Sequence, residues 1–142
     1  MGRFLEAFAR GGERQAETAA LFPDLVKASA LTFLKPDSDV SEHGVTFAIG
    51  VAVWSAYDMR LLDELDDRMA GYGGKADICI AVFDFGSHWA DLDRYIPTLD
   101  ITQIFSTPVV GEWRDGALVF AGAGAAARTR MLADLADVTS QS

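Results

Sequence analysis

Residues 105–124 read Phe-Ser-Thr-Pro-Val-Val-Gly-Glu-Trp-Arg-Asp-Gly-Ala-Leu-Val-Phe-Ala-Gly-Ala-Gly. Two apolar-rich runs, Val109 to Trp113 and Leu118 to Phe120, flank Asp115-Gly116, a pair that supplies the positive φ angles of a two-residue hairpin turn. Pro108 stands ahead of the first run. A proline lacks the N–H that a ladder needs, so it belongs at a strand's first residue or on an edge. The stretch therefore predicts a β-hairpin entered through a rigid proline loop. Beyond it Met131, Leu132, Leu135 and Val138 share one helical face, which predicts a closing helix.

Upstream, Val45 to Val53 and Ile78 to Phe83 are near-continuous β-prone runs of the kind found in strands covered on both faces. Between them Ser55-Ala-Tyr-Asp58 has the form of a helix N-cap, with the serine oxygen accepting from a free backbone N–H. Leu61, Leu62, Leu65 and Met69 follow on one face of that helix. Asp63, Glu64, Asp66, Asp67 and Arg68 lie opposite and read as a solvated face, with an acidic docking patch as the alternative. Strand, helix and strand predict a parallel βαβ unit. Ser87 is expected to cap a short helix through Tyr95, which Pro97 ends.

The N-terminal third is less regular. Phe4 to Arg10 and Glu13 to Leu21 are helix-compatible, separated by Gly11-Gly12, and Pro23-Asp24 is expected to restart the pattern. Ala30 to Leu34 reads either as a first strand or as the end of a helix begun at Pro23. Lys35 to Asp39 is a turn-rich loop that His43-Gly44 closes. Thr139 to Ser142 is expected to fray.

At 142 residues the chain has the size of one domain, and 50% apolar with 23% charged residues is the composition of a folded protein. A net charge of −9 argues against nucleic acid and anionic membranes as partners, leaving proteins, small ligands or a basic surface. The N-terminus has charges among its apolar residues and no signal-peptide core, Glu6 breaks the myristoylation pattern, and the apolar run Phe47 to Trp54 is too short to span a bilayer. Cys79 is the one cysteine, so no internal disulfide forms; a lone thiol fits a reducing cytoplasm, where a soluble chain is expected.

Thr107-Pro108, then Trp113-Arg114-Asp115-Gly116, then Gly124 and the closing helix resemble the C-terminal half of the thioredoxin superfamily, and Tyr72-x-Gly74-Lys75 is similar to it as well. The resemblance implies an α/β fold: a central mixed sheet with helices on both faces, here carrying an N-terminal helical extension. It implies a cis proline facing the site where the family places Trp-Cys-x-x-Cys, a turn in which the helix N-terminus lowers the pKa of the attacking thiol. This chain has Trp54-Ser55-Ala56-Tyr57-Asp58 there. Laid without gaps, Ser55 stands at the attacking cysteine and Asp58 at the resolving one; a second register pairs Trp54 with the strand-end tryptophan and needs a gap. Neither register provides a cysteine, and Val45 to Val53 lacks the buried acid of the redox members. The resemblance thus implies a redox-inactive member, not a disulfide oxidoreductase. The family's first crossover helix has no room in the ten residues from Lys35 to Gly44; either the region Glu13 to Leu34 supplies it or the first strand is missing. The expected division is 1–34 as a helical extension packed on the same domain and 35–142 as the thioredoxin-like domain.

Other residues are read against their structural roles. Cys79, inside a strand pattern, is expected to be an inert buried hydrophobe. Ser55 lacks a base and an elbow motif, so capping is its expected role. Asp84, His88 and Asp91 carry loose metal-ligand chemistry but read as an acidic face, and neither metal nor cofactor is expected. Asp84-Phe85-Gly86 matches the kinase tripeptide without any other kinase motif.

The functional expectation is a protein-binding module: an assembly chaperone, adaptor or complex subunit, roles that by analogy thioredoxin-like proteins without the cysteine pair, such as hydrogenase maturation chaperones, fill. Its contact surface is the groove formed by Trp54, Ser55, Ala56, Tyr57 and Asp58 against Ser106, Thr107, Pro108 and Val109. Two alternatives stand beside it. One is a small-molecule enzyme using Asp58, Tyr57 or Ser55 in the same groove; the other is a homo-oligomer formed through the N-terminal helices.

Overall fold

A computed structural model describes residues 2–11, 15–36 and 38–140. Its strands are Thr32–Phe33 (β1), Val45–Val51 (β2), Ile78–Asp84 (β3), Val109–Arg114 (β4) and Ala117–Ala123 (β5), joined in one sheet of order β1-β3-β2-β4-β5. The first three are parallel, and β4 runs antiparallel to β2 and β5 antiparallel to β4. At the predicted hairpin Asp115 and Gly116 have φ of 52° and 83°, the left-handed pair that lets Arg114 face Ala117 across a two-residue turn.

The helices are Arg3–Gly11 (α1), Gln15–Lys27 (α2), Ala56–Ala70 (α3), Phe85–His88 (α4), Leu92–Tyr95 (α5) and Gly124–Thr139 (α6). Period-2 alternation sends Phe47, Ile49, Val51, Ile80, Val82 and Val110 to one sheet face, where they meet Phe4, Phe22, Leu61, Leu65, Met131 and Leu135 from the long helices. Full burial of such side chains stabilises by about 1.5–3 kcal/mol each. The other face carries Ala48, Cys79, Ala81, Phe83, Val109 and Trp113, packed on Leu92, Tyr95 and Ile96. The sheet is therefore mixed, with helices on both faces and two more ahead of it.

Several expectations are corrected here. Pro23 does not restart a helix but sits inside α2. Phe22 and Val26, one turn apart, are both 0% exposed, and burying two such side chains offsets the ~3 kcal/mol cost of an interior proline. The first strand is present, and among the described residues no α-helix lies between it and β2. A single 3-10 turn, Val40–Glu42, lies between β1 and β2, because Asp39 Oδ1 accepts from Ser41 N–H at 2.9 Å and from its hydroxyl at 2.6 Å and holds the loop in a tight cap. Asp84, not Ser87, caps the helix after β3: its carboxylate accepts from Ser87 N–H at 3.3 Å and from the hydroxyl at 2.6 Å. Thr139 is helical, with its hydroxyl donating to Leu135 O at 2.8 Å. Gly12, Glu13, Arg14, Asp37, Gln141 and Ser142 lie outside the described residues.

The polar face of α3 is the largest correction. Asp63 and Asp66 are buried, not solvated. Asp63 accepts from the free N–H groups of Phe4 at 2.9 Å and Leu5 at 3.0 Å, so a carboxylate from another helix caps α1 and meets its dipole. Asp66 accepts from Ala30 N–H at 2.8 Å and pairs with Arg3 Nε at 3.1 Å, and Arg3 Nη1 also donates to Ala28 O. Two acids that read as surface charge thus fasten the N-terminal helices to α3. No helix among the described residues is long and apolar enough to cross a membrane.

Candidate functional site

β2 ends at Val51, and the chain turns through Trp54 before α3 begins. Ser55 caps α3, its Oγ accepting from Asp58 N–H at 3.2 Å, while Ser55 N–H donates to Ala52 O at 3.0 Å. Opposite this turn lies the loop before β4, where the Thr107-Pro108 peptide is cis and Pro108 O accepts from Gly124 N–H at 2.8 Å. Between the turn and the loop runs a groove of about 350 Å³.

Its walls are chiefly apolar. Ala52 and Trp54 come from the turn, Phe85, Gly86 and Trp89 from the segment after β3, and Ile101 and Ile104 to Thr107 from the approach to the proline. The aromatic groups lie open: Trp54 is 49% exposed, Trp89 57% and Phe105 92%. Large apolar side chains thus stand in water around one hollow.

The nine expected residues separate. Trp54, Ser106 and Thr107 line the groove. Ala56 begins α3, while Pro108 and Val109 are buried behind the loop. Tyr57 is exposed but lies under Arg128, whose guanidinium carbon is 4.8 Å from the ring centroid and whose Nη2 is 3.6 Å from Glu64 Oε2. Phe85, Gly86, Trp89, Ile101, Ile104 and Phe105 are lining residues that sequence reasoning missed. Their signal was the density of aromatic and branched apolar side chains in segments too short and too polar to be core elements.

Asp58 is fully buried beneath the groove. In a capping box the carboxylate would return to the cap residue's own N–H; here Oδ2 accepts instead from Ala52 N–H at 2.9 Å, and Oδ1 has no hydrogen-bond partner among the described residues. Burial pushes this carboxyl above its ordinary pKa, opposed by the Ala52 N–H, the nearby Thr107 hydroxyl and the charge of Arg128.

A second buried carboxyl lies away from the groove. Glu112 on β4 faces Asp134 of α6, with Arg114 Nη2 at 3.8 Å from its Oε1 and Arg130 Nε at 3.5 Å from Asp134 Oδ2. Burial first, and then the Asp134 contact, raise the Glu112 pKa. Cys79 on β3 is 9% exposed, its thiol 3.6 Å from Thr32 Oγ1, and burial pushes its pKa up. The thiol lines a separate hollow under the loop between β1 and β2.

No family model and no curated protein matches this chain. Solved structures do. The crystal structure of human ERp44 in form I aligns with a TM-score of 0.52 at 17% identity, covering 77% of this chain and 29% of that one. The zinc-bound form of human ERp44 aligns with a TM-score of 0.50 at 14% identity, covering 77% and 32%. A point-mutant thioredoxin from Halobacterium salinarum NRC-1 gives a TM-score of 0.49 at 18% identity, covering 79% and 91%. This chain thus spans less than a third of the ERp44 chain. Likeness at such identities speaks to fold alone, and the fold is thioredoxin-like. With one cysteine in the chain, it has no Cys-x-x-Cys pair.

Proposed function

We propose that this chain is a non-redox thioredoxin-like protein-binding module, and that its groove takes an extended, apolar segment of a protein partner. The observation that carries the proposal is the ring of exposed Trp54, Trp89 and Phe105 around a hollow of about 350 Å³ beside the cis-proline loop. Aromatic anchors of this kind dominate the energetics of protein contacts. The backbone of Ser106 and Thr107 enters no backbone hydrogen bond among the described residues, which leaves N–H and C=O groups for an extended chain to pair with. A net charge of −9 favours a basic partner.

Disulfide exchange needs an accessible thiolate, and the one thiol is buried with its pKa raised. The polar groups an enzyme would use are already engaged or covered: Ser55 caps α3, Tyr57 carries Arg128, and Asp58 is 0% exposed. Assembly chaperone, adaptor and complex subunit are all roles that such a groove serves.

The test is site-specific photocrosslinking in cells of the source organism, with benzoylphenylalanine at Phe105 and, as a control, at Val119, which is 47% exposed on β5. Discrete protein adducts from position 105, absent from 119 and lost with Trp54→Ala, are expected. Equal adducts at both positions, or adducts indifferent to Trp54, would remove the groove from the reading.

A further inference from the structure

The groove does not end at its own rim. Trp89 and Ile101 form a ridge, and on the far side the same two side chains wall a second hollow of about 330 Å³. The two hollows differ in chemistry. Among the described residues no charged side chain lines the first, whereas Asp93 from α5 and Asp100 from the loop ahead of the proline line the second.

Both carboxylates line this hollow. Asp100 uses Oδ1 to accept from Thr102 N–H at 2.9 Å and from its hydroxyl at 2.7 Å, which caps the 3-10 turn Ile101–Gln103. Asp93 makes no ion pair among the described residues. The Trp89 indole, 57% exposed, lines the same hollow, and the face of such a ring attracts a cation. Side chains two residues apart on an extended chain project to one side about 7 Å from each other, a spacing that suits two hollows sharing one ridge.

We infer that the partner segment is bipartite: an apolar side chain fills the hollow between Trp54 and Phe105, and a Lys or Arg close by in sequence crosses the ridge to lie between Trp89, Asp93 and Asp100. This deepens the groove reading and rests on it. A carboxylate in the partner's second position would meet two like charges in a hollow lined by no Lys or Arg among the described residues, so the annex selects by repulsion as well as by attraction.

Three fluorescently labelled probe peptides test it, identical except at one position: Gly-Ser-Leu-Ser-Lys-Ser-Gly and the same chain with Glu or with Ser in place of Lys. In low-salt buffer the Lys peptide is expected to bind roughly fivefold or more tightly than the Glu peptide, and the gap should narrow at high salt. Asp93→Asn/Asp100→Asn, in which Asn keeps the cap acceptor at position 100, should abolish the Lys preference. Binding of all three peptides with equal affinity would overturn the bipartite partner while leaving the groove intact. If none binds the wild-type protein even at millimolar concentration, the groove reading falls with it.

Discussion

The Trp54 indole lies directly against the α-carbon of Gly86: a Cβ on that glycine would meet ring atoms Cζ3 at 2.2 Å and Cη2 at 2.4 Å. The outer edge of the indole therefore rests on the start of α4, and the absence of a side chain at position 86 is what allows it. Gly86→Ala should force the indole off this seat. Because Trp54 is half exposed, the ring can swing into solvent, so the expected loss of stability is small, about 1 kcal/mol or less. The loss of groove binding should approach that of Trp54→Ala. Unchanged adduct formation from position 105 in Gly86→Ala would show that the seat does not matter.

Asp58→Asn tests the buried carboxyl. Its folded pKa is raised, so between the ordinary aspartate value and the raised one the folded state holds more protons than the unfolded state, and stability falls as pH rises through that window. Asn keeps an acceptor for Ala52 N–H and removes the charge. The variant should melt higher than wild type at neutral pH and show a flatter dependence across the acid range. A lower melting temperature at neutral pH would mean that the ionised carboxylate is favourably held.

Glu112→Gln makes an independent prediction of the same sign. Glu112 also has a raised pKa, so its contribution is most favourable at low pH and is lost as pH rises through the raised value. The glutamine amide can donate to Asp134, and stability at neutral pH should increase. Chemical denaturation at several pH values decides it; identical curves for the two proteins would dissolve the carboxyl pair.

Asp63→Ala removes both acceptors at the start of α1. The expected cost is about 1–2 kcal/mol, that of a lost cap and of buried N–H groups left unpaired. Hydrogen exchange at the Phe4 and Leu5 amides should accelerate far more than at core strand amides such as Ile80. Uniform acceleration throughout would place the effect in global stability and not in the attachment of α1.

The sheet was largely legible because its signals are local. Asp115-Gly116 can make little but a hairpin turn, and Val45 to Val53 can be little but a covered strand. The groove was half legible: Trp54 and Thr107 flank motifs with fixed positions, but Trp89 and Phe105 join them through tertiary geometry that no spacing encodes. Tyr57 stands apart from the groove walls for a related reason, since its helical position turns it toward Arg128 on a helix far along the chain. Asp63 and Asp66 lay beyond periodicity altogether: helical phase assigned them to the polar face, and nothing local reveals that another part of the chain presents its free N–H groups to that face.

Among the described residues the chain crosses from β1 to β2 without an α-helix. The cover for that part of the sheet arrives from ahead of it, as α2 and α1, and is fixed by acids on α3. α3 is consequently a shared beam. Its first turn lies beneath the groove and its middle anchors the N-terminal pair, so a pull on those leading helices would be transmitted along a single rigid rod to the turn at Trp54.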